Sequence, residues 1–158
     1  MSKVSILIVE DEYIAALDIQ QNLENAGYIV AGHADRGDTA FQLAKTMRPN
    51  LVLMDIGLKG EMDGIETAGY IREICDIPVI FLTAFSNQET LERARLVEPY
   101  GYILKPFNTR ELIGNIEMAL YKHRMEKELR ESENKFRSVI ENSSDGIMLG
   151  DEQGKVIE

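Results

Sequence analysis

Five times along the 158 residues a short run of aliphatic and β-branched side chains gives way to a longer segment of helical period, and that alternation leaves few folds open. Val4 to Val9 is the first run. Behind it Ala16, Ile19, Leu23 and Ala26 recur at spacings of 3, 4 and 3, and Gly27 supplies a stop. Tyr28 to Ala34 reads as the second strand, followed by a helix from about Asp38 to Met47 that ends before Pro49. Leu51 to Met54 is the third strand, and a glycine-rich loop from Gly57 to Gly64 leads into a helix through Ile65, Ala68 and Ile71. Pro78 introduces Val79 to Leu82, after which Ser86-Asn87-Gln88-Glu89 has the form of a capping box. Tyr102 to Leu104 makes a short fifth strand, and Asn108 with Glu111 three residues on marks the start of a fifth helix. Parallel strands need crossover connections, which are right-handed. The pattern therefore predicts a doubly wound α/β sheet of five parallel strands within residues 1 to about 122.

Past Asn108 no helix stop occurs for roughly 34 residues, which at about 1.5 Å per residue is about 50 Å of helix. Met118, Tyr121, Met125 and Leu129 keep one stripe, continued less cleanly by Ser132, Phe136 and Val139. Residues 122 to 141 carry six basic and five acidic side chains. That balance fits a single exposed helix and the seam of a parallel dimer equally well. From Asp145 the sequence reads as a strand, an acidic glycine turn and the start of another strand. An isolated hairpin is marginal in water, so this segment is expected to open a further domain.

Charge narrows the chemistry. Seventeen Lys and Arg against 27 Asp and Glu give a formal charge of −10, which argues against nonspecific nucleic-acid or anionic-membrane binding and leaves a metal ion or a basic protein surface as the cationic partner. A single cysteine, Cys75, excludes an internal disulfide and fits a reducing cytoplasm. No apolar run approaches the roughly 20 residues that span a bilayer, and the first one stops at an acid with no cleavage site behind it, so a cytoplasmic protein is expected.

In an open parallel sheet, ligands bind beyond the carboxyl ends of the strands. Those ends carry Glu10-Asp11, Asp55, Thr83 and Lys105-Pro106. No glycine-rich phosphate loop occurs. Two unit charges about 4 Å apart interact by about 4 kcal/mol at an effective dielectric near 20, so three clustered carboxylates call for a divalent ion. Hard oxygen donors without His or Cys favour Mg²⁺. One strand-end aspartate alone would read as a helix cap, but four strands each ending in a matched polar group do not.

The combination of Glu10-Asp11, Asp55, Thr83 and Lys105-Pro106-Phe107 resembles a response-regulator receiver domain over residues 3 to about 122. The resemblance implies a flavodoxin-like strand order of 2-1-3-4-5. It implies that Asp55 takes a phosphoryl group from the phosphohistidine of a sensor histidine kinase or phosphotransfer protein. Asp11, Asp55 and the backbone carbonyl of Gly57 would then bind Mg²⁺, with Glu10 acting through water. Lys105 would neutralise phosphoryl oxygens and Thr83 would donate its hydroxyl. Tyr102 would swing inward behind Thr83, switching the face made by the fourth helix, fifth strand and fifth helix. That face, or the C-terminal helix, would carry a homodimer. The Lys105-Pro106 bond would be cis. Two features depart from the family pattern: the acid pair is Glu10-Asp11, a common variant, and Glu98-Pro99-Tyr100-Gly101 stands where the family often has Gly-Ala. At the tuning positions neither Gly57 nor Phe85 can orient a hydrolytic water, which predicts slow self-dephosphorylation. Residues 132–158 resemble the start of a PAS domain. The expected organisation is a receiver domain over 1–122, a helical linker over 123–135 and the first part of a PAS-like domain over 136–158.

Two other classes fit this acidic site less well. A haloacid-dehalogenase-type phosphatase needs a second acid two residues after its nucleophile, where this chain has Gly57. A phosphate-independent interaction module would not need the intact acidic set. His33 and His123 lack the surroundings of a phosphorelay or kinase histidine and are read as structural or surface residues, and Cys75 as a partly buried loop residue before Pro78.

Overall fold

The structure, a computed structural model, describes residues 3–84 and 88–143, with side chains as far as residue 137. The chain divides into two units between Lys122 and His123. In the first unit β1 (Ser5–Val9), β2 (Ile29–Ala34), β3 (Leu51–Asp55), β4 (Val79–Thr83) and β5 (Gly101–Leu104) form one parallel sheet in the order β2-β1-β3-β4-β5. The helices α1 (Tyr13–Asn25), α2 (Gly37–Met47), α3 (Gly64–Tyr70) and α4 (Gln88–Leu96) connect them, and α5 (Thr109–Ser143) follows β5.

The central strands β1, β3 and β4 are hydrophobic on both faces because helices cover both. Their pleat deals alternate residues to two cores. Leu7, Val9, Val52, Met54, Val79 and Phe81 pack with α2, α3 and α4. Ile6, Ile8, Leu51, Leu53, Ile80 and Leu82 pack with Ala16, Ile19 and Leu23 of α1 and Leu112, Ile116 and Ala119 of α5. Each such large side chain contributes about 1.5–3 kcal/mol by leaving water. This two-sided core fixes the strand ends relative to one another, and the strand ends carry the polar residues.

The helix starts show local chemistry. Asn108 Oδ1 accepts the Glu111 N–H at 2.8 Å while Glu111 Oε1 accepts the Asn108 N–H at 3.1 Å, the reciprocal cap expected at the head of α5. A second capping box, between Asp63 and Glu66, opens α3. The cap expected at Ser86 involves Ser86 and Asn87, which lie outside the described residues, as do Phe85 and the segment beyond Ser143. Cys75 differs from its expected place in a loop: α3 runs on without a break into a wider π turn, Ile71–Cys75, and Cys75 closes that turn, buried in the core. Burial pushes its thiol pKa up, opposed by the nearby Arg48 and Lys45 charges.

At the amino ends of β4 and β5 a cationic cluster gathers around Tyr100. The Arg72 guanidinium donates to the Glu98 carbonyl at 2.8 Å and lies 5.0 Å from the Tyr100 ring centre, and Lys122 Nζ lies 5.7 Å from the same ring. Glu98 holds the left-handed backbone, φ 53°, that turns the chain from α4 toward β5. Along α5, Met118, Tyr121, Leu129 and Phe136 are exposed. Among the described residues no helix is long and apolar enough to cross a membrane.

Candidate metal centre

The carboxyl ends of β1 and β3 bring Glu10, Asp11 and Asp55 together, with one oxygen from each within 4.8 Å of the others. Glu10 is fully buried and Asp55 nearly so. The compensating cation arrives from β5: Lys105 Nζ donates to Glu10 Oε1 at 2.9 Å and stands 3.7 Å from Asp55 Oδ1. Burial pushes the Lys105 ammonium pKa down. The hydrogen bond to Glu10 and the charges of Asp55, Glu10 and Glu12 push it up by more, so it stays protonated well into the alkaline range. The Lys105–Pro106 peptide is cis.

The remaining donors define what each carboxylate has left to offer. Glu10 Oε2 accepts the Glu12 N–H at 3.3 Å, so both of its oxygens are engaged. Asp55 Oδ1 accepts the Gly57 N–H at 3.0 Å. Asp11 Oδ2 is buried and has no hydrogen-bond partner. A buried carboxylate oxygen left unsatisfied costs about 1–3 kcal/mol or more, and here it sits beside two further acids with one lysine between them. An all-oxygen donor set with an orphaned, buried oxygen fits a hard divalent cation such as Mg²⁺.

Around this cluster the other expected residues take different stations. Thr83 closes β4 and is buried. Tyr102, on the neighbouring β5 and level with Phe81, is part exposed, its ring centre 6.1 Å from that of Phe81. Burial raises its phenol pKa while Arg95 works against the rise. Gly57 has room: a Cβ there would lie 3.8 Å from Asp55 Oδ1. Gly64 has none, for a Cβ there would stand 2.3 Å from the Asp55 carbonyl oxygen. Three features escaped the sequence reading: the Gly64 contact, the Arg93–Asp63 ion pair at 2.8 Å joining α4 to the start of α3, and a hydrogen bond at 2.9 Å from His33 Nε2 to the Glu10 carbonyl.

Comparison with known proteins points the same way. The transcriptional regulatory protein PdtaR of Mycobacterium tuberculosis is 38% identical over 119 residues, 75% of this chain and 58% of that protein. YvrH of Bacillus subtilis, also a transcriptional regulatory protein, is 35% identical over 128 residues, 81% of this chain and 54% of that protein, so the chain spans little more than half the length of these relatives. The signal receiver domain of a modulated diguanylate cyclase from Desulfovibrio desulfuricans G20 superimposes with a TM-score of 0.76 at 41% identity, covering 79% of this chain and 99% of that one. The N-terminal domain of a response regulator/sensory box/GGDEF three-domain protein from Carboxydothermus hydrogenoformans gives 0.69 at 39% identity, over 77% and 98%. Residues 6–117 match the response regulator receiver domain, and the chain belongs to that family.

Proposed function

We propose that residues 1–122 are a phosphoacceptor module in which Asp55 takes a phosphoryl group from the phosphohistidine of a partner histidine kinase or phosphotransfer protein. The observation that carries the reading is the Glu10–Asp11–Asp55 cluster with its orphaned Asp11 oxygen and Lys105 between the acids. In the transfer an Asp55 oxygen forms the new bond to phosphorus as the phosphorus–nitrogen bond of the phosphoimidazole breaks and the electron pair returns to the ring. The Gly57 amide and Lys105 both engage Oδ1, which leaves Oδ2 as the attacking oxygen. Mg²⁺, when bound, supplies charge neutralisation at the phosphoryl oxygens. Asp11 and Asp55, with the Gly57 carbonyl, would hold it. Glu10, already engaged at both oxygens, would act through water. Lys105 is charged and close enough to Asp55 to receive a phosphoryl oxygen, and Thr83 supplies a hydroxyl from the next strand end.

The switch follows from Thr83 and Tyr102. Drawing Thr83 toward the phosphoryl group opens space beside it, and the part-exposed Tyr102 ring fills that space, altering the face of α4, β5 and α5. That face, or the stripe along α5, would carry a homodimer, residues 123–135 would serve as the linker helix, and 136–158 would begin a PAS-like output segment. The sensory-box arrangement named for the Carboxydothermus protein supports this order of parts.

The test is phosphorylation by a small phosphodonor such as acetyl phosphate, read by intact mass. One phosphoryl group should appear in the presence of Mg²⁺, be lost with a chelator, and be absent in Asp55→Asn. Mg²⁺-independent labelling, or equal labelling of Asp55→Asn, would overturn the reading.

A further inference from the structure

We infer that His33 is a positioning residue for the divalent cation, an assignment that rests on the metal reading above. The Glu10 backbone is clamped on both sides by the end of β2: its N–H donates to the Ala34 carbonyl at 2.9 Å and its carbonyl accepts from His33 Nε2 at 2.9 Å. A carbonyl can only accept, so Nε2 carries a proton in this contact whichever charge the ring bears. The first bond is the last rung of the β1–β2 ladder. The second, made by a side chain, extends the hold to the peptide plane that joins Glu10 to Asp11. Rotation of that plane swings the Asp11 carboxylate, whose buried Oδ2 has no other polar partner.

The strand register prepares this contact. Ile6 pairs with Val30 but Leu7 pairs with Gly32, so Ala31 is an extra residue in β2. The bulge advances β2 by one position and sets His33 and Ala34 level with Ile8 and Val9, at the point where β1 ends. His33 therefore does for Asp11 what outer ligand-supporting groups do in metal sites generally, fixing the direction of a ligand it does not touch.

The experiment titrates Mn²⁺ into the apo chain and follows free Mn²⁺ by its paramagnetic resonance signal, alongside the melting temperature of the apo protein. His33→Ala and the ring-retaining His33→Phe are both expected to bind Mn²⁺ about three- to tenfold more weakly than the parent, the ratio one net hydrogen bond carries, while His33→Gln, which keeps a donor near Nε2, stays within about twofold. A purely structural role would lower the apo melting temperature and leave Mn²⁺ affinity unchanged, and that result overturns the assignment. His33→Gln binding as weakly as His33→Ala would overturn it too. A parent that binds no Mn²⁺ would remove the metal reading itself and the His33 assignment with it, an outcome distinct from the other two.

Discussion

Lys105→Met removes the cation that pairs with Glu10 and Asp55 while keeping most of the aliphatic length. At an effective dielectric near 20, the 2.9 Å contact to Glu10 corresponds to about 6 kcal/mol of attraction and the 3.7 Å contact to Asp55 to about 4.5 kcal/mol. Desolvation of both partners takes back much of that, and breaking a buried pair by removing one member costs about 3–5 kcal/mol. Lys105 keeps 24% of its side chain exposed whereas Glu10 keeps none, so water reaches only one partner and the expected loss is about 2–3 kcal/mol. Urea unfolding at neutral pH in a chelator measures it. Adding Mg²⁺ at one saturating concentration should narrow the gap between variant and parent, because the ion binds more tightly where the competing ammonium is gone; each tenfold gain in affinity closes the gap by about 1.4 kcal/mol. The pH dependence follows from the raised ammonium pKa. The pair's contribution is fully present below the ordinary lysine value of about 10.4 and is lost as pH rises through the higher folded value, so the gap should be flat to about pH 10 and close above it. A variant within about 0.5 kcal/mol of the parent in chelator, or a gap that Mg²⁺ leaves unchanged, would refute the reasoning.

Other positions give sharper local tests. Gly57→Asn fits sterically, with 3.8 Å between the new Cβ and Asp55 Oδ1, and should speed decay of the phosphorylated form by about tenfold by orienting a water; a decay already fast in the parent would end that account. Asp63→Ala removes the α3 cap and should cost about 1 kcal/mol in chemical unfolding. Burial raises the Asp63 pKa, but the Glu66 amide and Arg93 lower it by more. Its contribution is therefore present above the ordinary carboxyl value of about 3.9 and fades as pH falls through the lower folded value, closing the gap between parent and variant there. Tyr100→Leu loses two cation–ring contacts and should cost about 1 kcal/mol in chemical unfolding.

The sheet was readable because its information is local. Each strand is a run of apolar residues, each helix a spacing, and the rule that ligands sit at strand carboxyl ends pointed to Glu10, Asp11, Asp55, Thr83 and Lys105 without any knowledge of contacts. What stayed hidden depends on pairs far apart in the chain. Lys105 meets Glu10 across 95 residues, and Arg93 meets Asp63 across 30. The wider turn at Ile71–Cys75 escaped because Ile71, at the end of the legible spacing, is followed by residues with no breaker before Pro78. Gly32, inside the β2 run, was the one local sign of the bulge, and it gave no indication that the His33 ring reaches the Glu10 carbonyl.

The missing side chain at Gly64 makes the head of α3 and the backbone of Asp55 a single contact surface, with no atom to spare between them. For anyone sorting related sequences, that position is a gauge of loop geometry. A chain that keeps the same acids but carries any side chain there must hold its β3–α3 connection further from the strand, and with it the amide at the position of Gly57. Two sequences with identical acidic residues can therefore differ in how tightly the strand-end carboxylate is gripped, and the glycine, which takes no part in any charge interaction, is the residue that tells them apart.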